Sequence, residues 1–244
     1  MLNYFKMDST EFNSEKPFPH FVKEGLWDIE LLLSIENEFK DFDKWDGQKN
    51  FANAKWKKFC GSYGNFPANT KKLIDYAMSN EFVTFLEKVT GINNLVVDRT
   101  FLGGGMHNTF NGGYLDMHAD FNYNENIKLY RRLNLLVYLN SDWKEEYGGY
   151  LEIEDNNKSF HKSIAPSINT TVLFVTDDDS IHGHPVPMTL PENVSRKSIA
   201  LYYYTIEKPI KGHYSVRNTT KYYSENVENL TIYRRILNLL KSYF

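Results

Sequence analysis

Tyr114-Leu115-Asp116-Met117-His118-Ala119-Asp120 decides how this chain is read. In an extended strand, side chains at i and i+2 share a face. His118 and Asp120 therefore offer an imidazole and a carboxylate to one point in space. One more imidazole from a distant strand would complete a two-histidine, one-carboxylate face, the donor set that leaves open positions on Fe(II). A His-x-Asp pair alone carries little, because the chain has seven histidines and chance can supply one. The downstream text adds the weight: Asp142-Trp-Lys-Glu-Glu-Tyr-Gly-Gly-Tyr-Leu-Glu152, His182-Gly-His-Pro-Val186 and Arg196-Lys-Ser-Ile-Ala-Leu-Tyr202.

Spacing leaves His182 and His184 both open as the third ligand. His182 follows the polar turn Asp177-Asp-Asp-Ser180, which leaves an apolar run and can aim a ligand into a barrel mouth; it is the expected ligand. His184, just before Pro185, is expected beside it. Arg196 opens a strand whose alternation puts Arg196, Ser198, Ala200 and Tyr202 on one face. A carboxylate-bearing ligand fits along that face, since a guanidinium grips carboxylate bidentately and an ammonium does not. The plainer reading is a surface arginine at a strand start.

Composition narrows the class. At 244 residues the chain can bury one sizeable core and is expected to form a single domain. With 28 basic against 31 acidic residues and a net charge of −3, nothing electrostatic points to nucleic acid. One cysteine, Cys60, excludes an internal disulfide framework and fits a reducing, cytoplasmic setting. No apolar run is long enough to span a membrane.

Periodicity divides the chain in two. Residues 1–94 read as a mostly helical layer. Helices are expected over about 27–42 and 69–77, and a third starts at an Asn80 cap and stops at Gly91. From Leu95 to about residue 208 the signals become short β runs at 95–97, 133–139, 150–153, 171–175 and 198–205. Residues 209–244 form an extension with an amphipathic helical stretch over about 224–242. The simplest assembly is a mainly β, α+β fold: a jelly roll with supporting N-terminal helices and a C-terminal helix.

From about Leu95 to Thr205 the chain resembles the Fe(II)- and 2-oxoglutarate-dependent dioxygenases, most of all their prolyl 4-hydroxylase-like branch. The shared pattern is His118-x-Asp120, Tyr138-Leu139-Asn140, Trp143, Gly148-Gly149-x-Leu151, His182 with Pro185-Val186, and Arg196-x-Ser-Ile. The resemblance implies a double-stranded β-helix with Fe(II) on His118, Asp120 and His182. It implies 2-oxoglutarate as cosubstrate, with Arg196 on its distal carboxylate and Tyr138 bonding the same group. Ser198 would contribute to that pocket, and Leu151 and Tyr202 would be its apolar walls. Dioxygen is the oxidant and ascorbate an expected accessory. The stretch before the metal motif, 103–113, lacks the tyrosine many relatives carry, leaving His107, Asn108 and Thr109 as replacements. With Asp120 present, no halide position is open and hydroxylation is the implied outcome.

The substrate the resemblance implies first is a prolyl residue in a peptide or protein, with succinate and CO2 released. Substrate-shaping segments are expected at 103–113 and in a loop over 121–132 carrying Phe121, Tyr123, Tyr130, Arg131 and Arg132. Two alternatives stand: a hydroxylase of a small molecule (amino acid, sugar or lipid) and a non-catalytic metal-binding barrel.

Overall fold

The computed structural model describes residues 7–210 and 213–223. The helix expected over 224–242 lies outside them. The chain opens with α1 (Ser9–Ser14), whose first amides are taken by the Asp8 carboxylate, and β1 (His20–Glu24). Next come α2 (Ile29–Glu38), capped by Asp28, and a hairpin of β2 (Gly47–Phe51) and β3 (Ala54–Cys60). Helices α3 (Ala68–Ala77) and α4 (Asn80–Thr90) follow. The cap of α4 is Ser79, not Asn80: its hydroxyl accepts from the Phe82 amide, and Gly91 ends the helix in the left-handed region.

The remaining strands are β4 (Val96–Val97), β5 (Gly105–Ala119), β6 (Tyr123–Asn124), β7 (Leu129–Tyr138), β8 (Leu151–Glu154), β9 (His161–Ile164), β10 (Thr170–Val175), β11 (Ile181–His184), β12 (Arg196–Thr205) and β13 (Lys221–Tyr222). Three expectations need correcting. Residues 1–94, expected as a mostly helical layer, carry β1, β2 and β3 beside the helices, and all three strands join the sheet. Residues 105–113 are not a flexible glycine-rich segment but the first half of β5, the longest strand described. The 121–132 loop is shorter than expected, since β7 begins at Leu129 and β6 pairs with it.

The strands run antiparallel in the order β1-β10-β7-β12-β5-β11-β8-β9, with β3 also on β5. This sheet curls on itself. Strands β7 and β10 are far from β8 in that order, yet Tyr138, Val172 and Phe174 pack in one cluster with Leu151 and Ile153. The result is a double-stranded β-helix flanked by helices.

Alternation assigns the two faces of its strands. Ile199, Leu201 and Tyr203 of β12, with Leu133, Leu135 and Val137 of β7, point outward into a core shared with Leu32, Ile35, Leu73, Ile74 and Leu86 of the helices. Burying each such side chain contributes roughly 1.5–3 kcal/mol. The intervening residues face inward, where the lining is polar.

Two glycines set the strand spacing. Gly105 has φ +87°, and a Cβ there would sit 2.1 Å from the Cys60 carbonyl oxygen, so β3 can lie against β5 only over a glycine. A Cβ on Gly183 would lie 2.8 Å from the backbone oxygens of both Leu115 and Asp116. Its absence lets β11 seat on β5.

Candidate metal centre

That seating brings the two histidines together. On β11 and β5, His182 and His118 are direct cross-strand partners, and their ring centroids are 4.3 Å apart. Asp120, two residues past His118, places Oδ1 3.6 Å from His118 Nε2 and Oδ2 3.5 Å from His182 Nε2. One ligand atom from each of the three lies within 4.8 Å of the other two, and all three residues are buried.

Hydrogen bonds fix what each group presents. His118 Nδ1 lies 2.8 Å from the Asp116 carbonyl, and His182 Nδ1 lies 3.0 Å from that of Ser180. A carbonyl only accepts, so each Nδ1 carries the proton and each Nε2 turns its lone pair toward Asp120. Burial pushes His182 down to about 3, which keeps that imidazole neutral. Burial alone would raise the Asp120 carboxyl; the Arg131 guanidinium is the strongest opposing influence, and the group is held well below the usual carboxylate range.

Arg131 is the largest correction to the sequence reading. It is not part of a solvated substrate loop but fully buried in β7. Its Nη2 donates to Asp120 Oδ2 at 2.7 Å, and Asn134 Nδ2 donates to the same oxygen at 3.1 Å. The guanidinium carbon lies 3.3 Å from the centre of the Tyr202 ring and 4.8 Å from that of Phe121, a cation packed against two aromatic rings. Tyr202 is therefore no plain apolar wall: its ring carries Arg131, and its hydroxyl donates to the Gly103 carbonyl. With Oδ2 committed twice, Asp120 has Oδ1 left for a cation. Two imidazoles and one anionic oxygen, on one side of a polar cavity, suit divalent iron.

The deeper end of the cavity is built around Arg196. Its Nε donates to the Gly149 carbonyl at 2.6 Å and its Nη2 to the Tyr138 hydroxyl at 3.1 Å. Burial keeps the Tyr138 phenol protonated, with its pKa raised despite the nearby guanidinium, so its own proton is free for a ligand oxygen. Leu151, Ser198, Ala200 and Tyr202 line the same space, and so do His107 and Thr109. Asn108 does not; it faces away with its Oδ1 unpartnered among the described residues. His184 is a buried neighbour, in register with Leu115 rather than His118.

Sequence reasoning missed further lining residues. Lys49 and Lys57 enter from the β2–β3 hairpin, and Thr220 and Tyr222 from the returning chain. Tyr222 is in register with His118, their rings 5.6 Å apart. For Asn134 a signal existed: one amide interrupts the apolar run Leu133 to Val137.

Comparison with known proteins agrees with this architecture. The family model described as "2OG-Fe(II) oxygenase superfamily" matches residues 104–204, which hold the three clustered residues and Arg196. This segment is similar to the 2OG-Fe(II) oxygenases. Among solved structures, a prolyl hydroxylase from Trichoplax adhaerens, in complex with a hypoxia inducible factor peptide fragment, is 17% identical with a TM-score of 0.59. The match covers 81% of this chain and 87% of that one. A Pseudomonas putida prolyl-4-hydroxylase is 11% identical (TM-score 0.56; 76% and 92% covered). HygX from Streptomyces hygroscopicus, with nickel and 2-oxoglutarate bound, is 13% identical (TM-score 0.52; 82% and 92% covered). At these identities the likeness is one of fold. No curated protein sequence matches significantly. The matched family is one of oxygenases that use Fe(II) and 2-oxoglutarate.

Proposed function

We propose that the chain hydroxylates prolyl residues in a peptide or protein, with His118, Asp120 and His182 holding Fe(II) and Arg196 and Tyr138 holding the distal carboxylate of 2-oxoglutarate. The observation that carries the ligand assignment is the orientation of both imidazoles: backbone carbonyls lock Nδ1, and both Nε2 atoms converge on Asp120. When bound, iron and 2-oxoglutarate supply the oxidising power, with the cosubstrate decarboxylated to succinate.

The chain's own residues bind and orient. Arg131 and Asn134 keep Asp120 ionised and fixed in one rotamer. The Tyr138 hydroxyl and the Arg196 fork match a carboxylate at the deep end. Leu136, Leu151 and Ala200 give the cavity an apolar stretch between its polar ends, which keeps water from the reacting carbon.

The proline reading is supported by the fold relatives, two of which are prolyl hydroxylases, one seen with a peptide. A small-molecule substrate is favoured by a different relative, HygX, which has been seen with hygromycin B. The test is succinate release and a one-oxygen mass gain on incubation with Fe(II), ascorbate, 2-oxoglutarate and either proline peptides or a metabolite pool. Stimulation by peptides supports the proposal; a mass gain confined to metabolites overturns the proline assignment. Asp120→Ala is expected to abolish both metal binding and turnover, so tight metal binding by that variant would refute the ligand set. Arg196→Ala is expected to raise the 2-oxoglutarate requirement while metal still binds.

A further inference from the structure

Lys49 and Lys57 are direct cross-strand partners on the β2–β3 hairpin. Like charges placed opposite one another destabilise a strand pair, yet both side chains line the cavity that holds the metal triad. Both are partly buried, and among the described residues neither side chain has a hydrogen bond or a carboxylate within 4 Å; Asp120 acts on both from farther off. Their position is built into the fold. Trp56 adopts φ +52°, and the β3–β5 register shifts between Lys55 and Lys57 at that point. The shift puts Lys57 opposite Thr109, itself opposite Arg196. Lys57, Thr109 and Arg196 thus form one row across three adjacent strands, with Lys49 extending it by a fourth.

Charge counting then gives a direction. The cavity lining carries three cations, Lys49, Lys57 and Arg196, against one carboxylate, Asp120, and Asp120 is already paired with Arg131. On the function proposed above, on which this inference rests, the cosubstrate brings two carboxylates, one for the metal and one for Arg196. Two lysine amines are left facing the substrate space with Asp120, already bonded to Arg131, as the carboxylate acting on them, and charging a partly buried amine without a close counter-ion is costly.

We propose that the Lys49–Lys57 pair binds a carboxylate of the substrate, so that the preferred substrate is acidic close to the hydroxylated position. Burial and mutual repulsion lower the pKa of Lys57 well below that of an ordinary lysine, and burial lowers that of Lys49. An incoming carboxylate would relieve both.

The test measures binding without turnover, on protein loaded with Mn(II) and N-oxalylglycine, a non-reacting cosubstrate analogue. The probes are acetyl-Gly-X-Pro-X-Gly-amide with X as Glu, Gln, Lys or phosphoserine, and acetyl-Gly-Glu-Ala-Glu-Gly-amide. The Glu-Pro peptide is expected to bind on the order of tenfold more tightly than the Gln-Pro peptide. K49Q and K57Q are each expected to erase most of that preference, and K57R to retain it. N-oxalylglycine affinity should stay within about twofold in all three variants, which also reports that they are folded.

Equal binding of the Glu and Gln peptides overturns the inference. So does a loss of N-oxalylglycine affinity in K57Q with peptide preference intact, which would assign that lysine to the cosubstrate. A strong preference for phosphoserine over Glu overturns the carboxylate assignment. If the Glu-Ala peptide binds as well as the Glu-Pro one, the lysine pair stands and the proline reading falls. If neutral proline peptides are hydroxylated without acidic preference, the reverse holds.

Discussion

At the scale of single residues, the site depends on one buried cation that lies outside the metal triad. Arg131 holds Asp120 ionised and occupies its second oxygen, so its removal acts on the metal through the carboxylate. Arg131→Met is expected to weaken Mn(II) binding by roughly 10–100-fold, the usual effect of removing a partner that orients a ligand. It should also destabilise the fold by about 3–5 kcal/mol, because Asp120 is left buried and unpaired. Metal titration and chemical denaturation of the metal-free variant separate the two effects. Unchanged affinity would mean that Asn134 alone suffices to orient Asp120. Arg131→Lys should recover part of the affinity but not the packing against Phe121 and Tyr202.

At the scale of elements, the contact of β11 with β5 positions the two imidazoles. Gly183→Ala would drive a Cβ into the carbonyls of Leu115 and Asp116. The strand must then lift, at a cost of roughly 1–3 kcal/mol, and metal affinity should fall with it. Gly64→Ala, which meets nothing within 4 Å, is the control and should do neither. The turn feeding β11 offers a pH test. Burial pushes Asp177 up to about 6 although its Oδ1 accepts from the Asp179 and Ser180 amides. A carboxyl with a raised folded pKa binds more protons folded than unfolded, so stability falls as pH rises from about 4 to about 6. Asn keeps the accepting oxygen without the charge. Asp177→Asn is thus expected to gain about 1–2 kcal/mol at pH 7–8, allowing for partial exposure, and nothing near pH 3. Denaturation midpoints across that range check it.

The same elements show what could be read in advance. The β12 alternation was legible because outward Ile199, Leu201 and Tyr203 contrast with inward Arg196 and Ser198. The clustering of His118 with Asp120 followed from i, i+2 spacing alone. In β5 the pattern hides itself: His107 and Thr109 line the cavity on odd numbers, His118 and Asp120 on even ones. The phase changes between Leu115, which still lines the cavity, and His118, where the β5–β11 register shifts, so counting back from His118 misplaces the first half. The hairpin was illegible for another reason. Gly47-Gln-Lys-Asn-Phe51 and Ala54-Lys-Trp-Lys-Lys-Phe-Cys60 point lysines inward, and hydrophobic periodicity assumes that the inside is apolar.

At the scale of the whole molecule, a polar cavity runs through the middle of an apolar framework. The fold is held by the helix-backed outer face, while the interior keeps charges that a bound metal and ligand can satisfy. Metal binding should therefore stabilise the folded chain by mass action. Mn(II) at 100 times its dissociation constant adds about 2.7 kcal/mol. For a chain of this size that corresponds to a midpoint increase of roughly 5–10 °C, readable by thermal melting with and without a chelator. Asp120→Ala should show no such increase.

The short strand β13 has a practical bearing. Lys221 and Tyr222 are laid in register along Ala119 and His118, roughly 5 Å away across the ladder, so Thr220 and Tyr222 form part of the cavity's wall. Trimming the polypeptide upstream of position 220, or anchoring a fusion there, would strip a panel from that cavity while leaving the framework standing, and a preparation so shortened is expected to melt normally and still misreport what the cavity binds.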